Sequence, residues 1–124
     1  MSPDPRQELG RRGEALALEH FRRLGFALVT RNHRTRHGEI DLVLCDGRTL
    51  VFAEVKTRRA LPAGASAWDS LHERKRLQVR RMARAYLASD APRPRVRDVR
   101  CDAVAVELDA AGRLIRLDHV EDAF

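Results

Sequence analysis

Between residues 7 and 24 the apolar positions recur at helical spacing. Leu18 and Phe21 share a face with Gly25, and Ala17 and Leu24 lie beside it. This predicts a helix over Gln7–Leu24. Glu14 stands four residues before Leu18 and seven before Phe21, so it falls on the same inward face. A short apolar run, Phe26–Thr30, predicts a first strand. Glu39–Cys45 and Thr49–Lys56 predict two more, joined at Asp46-Gly47, because glycine accepts the positive φ of a tight hairpin turn. Arg59–Ala65, with Pro62, Gly64 and small residues, reads as a mobile loop. Ser70-Leu-His-Glu73 has the form of a capping box. The helix it opens runs to about Ala88, with Leu71, Val79, Met82 and Tyr86 as its apolar stripe and Lys75 inside that stripe by helical angle. Asp90–Arg95 carries two prolines and reads as a linker. Val96–Glu107 alternates as a strand, with Asp102, Val104 and Val106 on one face. Asp102 on that face reads as a structural charge paired to an arginine. Asp109–Gly112 turns the chain, and Leu114–Val120 is a last strand at an edge. The order α-β-β-β-α-β-β predicts an α/β fold, a mixed sheet with helices packed on it, in one domain spanning 1–124.

Three ionisable residues interrupt the apolar hairpin strands: Asp41, Glu54 and Lys56. Charges in such a pattern are costly unless they are paired or hold a metal. Successive strand side chains point to opposite faces, so Glu54 and Lys56 share a face. A two-residue loop at 46 and 47 pairs Asp41 with Phe52 and leaves Glu54 on the diagonal, whereas a four-residue loop pairs Asp41 with Glu54. Either register puts both carboxylates on one face; a slip by one residue separates them. Two converging carboxylates suit a hard divalent cation that keeps waters for a substrate phosphate. A nearby lysine can orient the attacking water or neutralise developing charge. The same pattern equally describes an Asp/Glu–Lys salt bridge on a polar sheet face.

Asp41 followed by Glu54-Val55-Lys56 resembles the PD-(D/E)xK signature of restriction-endonuclease-like folds. A longer set of residues resembles the YraN family of small bacterial predicted nucleases: Gly13-Glu14, Arg31-Asn32, Gly38-Glu39-Ile40-Asp41-Leu42, Val51 to Arg58, Lys75 and Tyr86-Leu87. The likeness covers nearly the whole chain. Ile40 departs from the broad nuclease pattern, in which a proline often precedes the aspartate. The resemblance implies a restriction-endonuclease-like fold, also seen in Holliday junction resolvases, and a site for Mg²⁺ or Mn²⁺. Asp41 and Glu54 would bind the metal, Lys56 would assist the water, and Glu14 would join the site as a helix glutamate does in resolvase-like nucleases. The resemblance does not fix an activity.

Charge adds a partner. The formal net charge is +6, which favours polyanions and nucleic acid above all. An arginine-rich composition also follows from a GC-rich coding sequence. Of the 24 lysines and arginines only Lys56 and Lys75 are lysines, and one of them stands at the proposed site. Arg31–His37 reads as a basic loop leading into Gly38 and Asp41. Arg34, Arg36 and His37 from this loop, with Arg58 and Lys75, are the expected contacts to the phosphates of DNA. The same residues fit a solvated loop, and Lys75 also fits a lysine snorkelling at the core edge. No run of about 18 apolar residues exists, no apolar segment follows the polar start, and a cytoplasmic location is expected. Cys45 and Cys101 then read as thiols and not a bridge. The leading expectation is a metal-dependent nuclease acting on DNA, branched or junction forms included, as a homodimer. A non-catalytic nucleic-acid-binding module is the alternative, and a salt-bridged interaction domain is the third reading.

Overall fold

The computed structural model describes residues 4–60 and 73–124. Helix α1 (Pro5–Arg23) is followed by β1 (Ala27–Thr35), β2 (Gly38–Cys45) and β3 (Thr49–Arg59), then α2 (Glu73–Ala88), β4 (Asp98–Leu108) and β5 (Leu114–Val120). The element order is the one the sequence predicts. The strands form one mixed sheet in the order β1-β2-β3-β4-β5. All neighbours are antiparallel except β3 and β4. A parallel pair needs a crossover, and α2 lies within it.

Alternation along β3 divides the core in two. Val51 and Ala53 pack with Ala17, Leu18 and Phe21 of α1 and with Val104, Val106 and Leu108 of β4. Leu50 and Phe52 pack on the other side with Val79, Met82 and Tyr86 of α2. The helices therefore cover opposite sheet faces, and β3 and β4 are buried between them. Among the described residues no helix is long and apolar enough to cross a membrane.

Local chemistry sets the element ends. Asp4 caps α1, its Oδ1 accepting the Arg6 N–H at 2.9 Å, and Pro5 begins the helix where no backbone donor is needed. The helix thus starts two residues before the position its apolar spacing indicates. At the β2–β3 turn Gly47 takes φ +94°, while Asp46 Oδ1 accepts the Arg48 and Thr49 N–H groups. Cys45 and Cys101 are free thiols, and burial pushes Cys101 up to about 11.

The first strand differs most in extent from the sequence reading. The basic segment after Thr30 is not a loop. β1 continues to Thr35, pairing Arg31 with Leu42, His33 with Ile40 and Arg34 with Glu39, so only Arg36 and His37 form the turn. As an edge strand, β1 tolerates polar side chains on its exposed positions, and the polar run concealed it. Similarly β3 extends to Arg59, where the sequence suggests a loop. The predicted capping box at Ser70–Glu73 and the loop beyond Ala60 fall outside the described residues, except for Glu73.

Gly13 has a packing reason. A Cβ there would lie 1.7 Å from Thr57 Oγ1, so only glycine lets α1 sit this close to β3. That approach brings Glu14, one residue on, towards the end of the sheet where β2 and β3 separate.

Candidate functional site: a carboxylate cluster where two strands part

The β2–β3 ladder runs from Cys45↔Leu50 to Leu42↔Ala53. This is the four-residue-loop register, and one more step would place Asp41 opposite Glu54. The pairing stops there instead. Asp41 Oδ2 accepts the Val55 N–H at 2.7 Å, so a side chain replaces the next rung. Strand separation exposes backbone donors, and a carboxylate in the fork satisfies one of them.

Glu54 projects on the α2 side, where Lys75 Nζ lies 2.9 Å from its Oε1. Both side chains are mostly buried, at 14% and 29% exposure. Lys75 therefore does point at the site from the apolar stripe, and its partner is a carboxylate. Lys56 is half-buried two residues along β3, and among the described residues it makes no ion pair with Glu54. The Asp/Glu–Lys salt bridge expected on the sheet face thus forms between Glu54 of β3 and Lys75 of α2.

Glu14 is held differently. Asn32 Nδ2 donates to Glu14 Oε1 at 2.8 Å and to Glu39 Oε1 at 2.9 Å. Asn32 adopts φ +51°, which asparagine tolerates better than most residues. One amide thus ties α1 to β2. A cleft of about 390 Å³ opens beside it, lined by Gln7, Gly10, Arg11, Glu14, Asn32 and Glu39. Sequence reading gives Asn32 no role of its own; its side chain bridges residues 18 and 7 positions away, a relation that no local periodicity carries.

The electrostatic outcome is concentrated on Asp41. Burial, then the Glu54 carboxylate, push its carboxyl up to about 8; Glu14 adds to the rise, and the Val55 N–H and Lys75 oppose it. The arrangement brings Asp41, Glu54 and Lys75 together, with Glu14 near enough to act on Asp41. Among the described residues no three His, Cys, Asp or Glu side chains converge closely enough to hold a metal. Two carboxylates, Asp41 and Glu54, are the available donor set. Mg²⁺ commonly takes one or two protein carboxylates and fills its octahedron with water and phosphate, so this set fits such an ion.

The other expected residues surround this cluster unevenly. Arg58 is half-buried, and among the described residues its Nε has no hydrogen-bond partner. Arg34 is exposed and lies 3.7 Å from Glu39. Arg36 Nε donates to His37 Nε2 at 3.3 Å, and Gln78 Nε2 of α2 donates to the His37 carbonyl at 2.8 Å. The turn is thereby anchored to α2. A second cleft, of about 370 Å³, lies between them, lined by His33, Arg34, Thr35, Arg36, Ala85, Ala88 and Ser89. Gln78 is a further anchor that the sequence reading missed.

The opposite face holds a fully buried carboxylate. Asp102 is fully buried and accepts two hydrogen bonds from Arg100, both at 2.9 Å, and one from the Asp122 N–H. His119 Nε2 lies 2.8 Å from it, and His119 Nδ1 lies 3.0 Å from His20 Nε2. Burial alone would raise this carboxyl, but His119, Arg100 and the Asp122 N–H hold it below the usual carboxylate range. The arginine partner foreseen for Asp102 is Arg100.

Comparison with known sequences places this geometry in a family. The profile described as "Uncharacterised protein family UPF0102" matches residues 13–106. The chain belongs to the UPF0102 family. It is 40% identical to a UPF0102 protein of Frankia alni over 124 residues, covering all of both chains. It is 40% identical to one from Pelotomaculum thermopropionicum over 121 residues, 98% of each chain. A Chlorobium chlorochromatii UPF0102 protein is 38% identical over 126 residues, covering 98% of this chain and 95% of that one. The matched region of the UPF0102 profile begins at Gly13 and includes Glu14, Asn32, Asp41, Glu54, Lys56 and Lys75.

Proposed function

We propose that this UPF0102 protein is a divalent-metal-dependent nuclease that hydrolyses phosphodiester bonds, with linear or branched DNA as substrate. The observation that carries the reading is the state of Asp41. Its carboxyl sits at the strand fork, pushed up to about 8 by burial and by Glu54. Carboxylates that repel one another in a partly buried fork are what a bound cation relieves. The likeness of Asp41 and Glu54-Val55-Lys56 to the PD-(D/E)xK signature supports the same assignment.

In this reading Asp41 and Glu54 hold Mg²⁺ or Mn²⁺, and Glu14 adds negative field through its effect on Asp41. The metal would polarise the phosphoryl group and acidify a bound water. Lys56, one pleat beyond Glu54, orients the attacking water and offsets charge developing on the phosphate. Lys75 keeps Glu54 in place and presents a second ammonium to the substrate. Arg34, Arg36, His37 and Arg58 contact phosphates on either side of the scissile bond.

One observation favours a second reading, a non-catalytic nucleic-acid-binding module. Lys75 already neutralises Glu54 at 2.9 Å, as a structural salt bridge would. A cleavage screen over linear and branched DNA and RNA, with Mg²⁺ and with Mn²⁺, separates the two. Metal-dependent cleavage of a DNA substrate that Asp41→Asn abolishes is the expected result. Binding without cleavage of any substrate selects the module.

A further inference from the structure

Among the described residues β5 is an edge of the sheet and bonds to β4 on one side only. Its sequence, Leu-Ile-Arg-Leu-Asp-His-Val, carries one positive and one negative side chain placed symmetrically about Leu117. Leu114, Ile115 and Val120 are about half exposed, at 45%, 53% and 44%. Apolar residues at that exposure on an unpaired edge invite another strand. The other edge, β1, does not offer the same surface. Its ladder shifts between Leu28 and Thr30, Asn32 takes a positive φ, and Arg31 and Arg34 stand exposed without an acidic counterpart of matching placement on the strand.

We propose that β5 pairs antiparallel with β5 of a second copy of this chain, about a two-fold axis normal to the sheet at Leu117. The axis must pass through a residue position, because paired side chains share a face and a normal two-fold preserves faces. Placed at Arg116 or Asp118, it sets like charges directly opposite, which is destabilising. Placed at Leu117, it sets each Arg116 opposite the Asp118 of the other copy and uses the whole strand from Leu114 to Val120. Leu114 then meets Val120, and Ile115 meets His119. Within one chain Arg116 Nε already lies 2.8 Å from Asp118 Oδ2, so the dimer builds an alternating square of four charges. The ladder to β4 is regular from Val120 to Arg116 and shifts only at Ile115, so the central pairs lie on undistorted backbone.

The symmetry has a consequence for the site. Both copies keep the α2 face on the same side, and β3 lies five strand spacings from its mate, about 24 Å across the sheet. If the proposed nuclease function holds, one dimer presents two fork sites to a single duplex or branched nucleic acid.

The test is charge reversal, read by sedimentation velocity and light scattering at 1–100 μM, about the range of specific dimers. Wild type is expected at twice the 14.1 kDa chain mass. Arg116→Asp alone and Asp118→Arg alone are each expected to weaken association at least tenfold, with circular dichroism and melting showing that they stay folded. Mixed together, those two variants form a heterodimer, and the double variant Arg116→Asp/Asp118→Arg regains the wild-type mass. A wild type that remains a monomer across the range overturns the proposal. So does a dimer that both single reversals leave intact, since its interface then lies elsewhere. Because mass is the readout, these outcomes stand apart from any failure of the nuclease reading, which is scored by cleavage.

Discussion

Asp41 and Asp102 are both strand aspartates in the same sheet, the first half-buried and the second fully buried, and they meet opposite fates. Asp102 takes part in four hydrogen bonds with three residues: two with Arg100, one with His119 and one with the Asp122 N–H. Its charge is compensated, and its carboxyl lies below the ordinary range. Asp41 receives one backbone N–H, and its nearest charges include two further carboxylates. Its carboxyl rises to about 8. A buried charge met by donors is compensated; one that mainly meets burial and its own sign is driven towards its protonated form unless a cation takes the proton's place. The contrast separates a compensated carboxylate from an uncompensated one without appeal to the family.

The largest expected effect breaks the structural side. Asp102→Ala strands Arg100 and His119 and leaves the Asp122 N–H unpaired. It should destabilise the fold by about 3–5 kcal/mol, as removal of one partner from a buried pair does. Equilibrium denaturation measures this, and any metal-dependent melting shift of the surviving folded protein should remain.

Next is Lys56→Ala. It should leave metal binding intact and lower cleavage by about 10²–10³-fold, as loss of one charge-stabilising donor does. Single-turnover cleavage with saturating Mg²⁺ tests it. Loss of metal affinity in place of rate would move Lys56 into the structural class.

The third prediction reverses the sign of the first. Asp41→Asn, without metal at pH 8, should stabilise the protein by on the order of 1–2 kcal/mol, because a repelling charge is removed. The pH dependence follows from the same displacement. Asp41 has a folded-state value raised from 3.8 to about 8. Between these values the folded protein binds the extra proton, so stability is greatest at the acid end and falls as pH rises through this window. Asp102, held below 3.8, works in the other direction: its stabilisation is present above that value and is lost as pH falls through its lower folded-state value. Thermal melts of wild type, Asp41→Asn and Asp102→Asn between pH 3 and pH 9 resolve the two limbs. Asp41→Asn should flatten the neutral limb, and Asp102→Asn the acid limb.

Much of this contrast is legible in the sequence, and the missing parts share a cause. Asp41, Glu54 and Lys56 stand out because they interrupt apolar strands of known period. Lys75 stands out because it interrupts an apolar helical stripe. Asp102 is conspicuous for the same reason. The partners are another matter. His119 reaches Asp102 across 17 residues and His20 across 99, and Asn32 joins Glu14 and Glu39 by a backbone twist. Such links are set by strand order and register, which apolar spacing does not report. Apolar spacing leaves the β2–β3 register open between two turns; the ladder that starts at Cys45↔Leu50 follows the four-residue turn and ends before Asp41. The extent of β1 is hidden because an edge strand needs few apolar residues.

The smallest effect concerns the surface around the fork. Arg34→Ala/Arg36→Ala/Arg58→Ala should reduce the salt dependence of DNA binding by about one unit of log–log slope for each phosphate no longer neutralised. Fluorescence anisotropy across a salt series measures it. A slope unchanged by the triple variant would place the phosphate-binding groups elsewhere.

Whether the fork binds a cation through Asp41 is decided by calorimetric titration of Mg²⁺ and Mn²⁺ into wild type and Asp41→Asn at pH 8. One saturable site per chain is expected in wild type, with proton release as Asp41 ionises, and no such site in Asp41→Asn. Absence of saturable binding in folded wild type, or equal binding by Asp41→Asn, would contradict the assignment of Asp41 as a metal ligand.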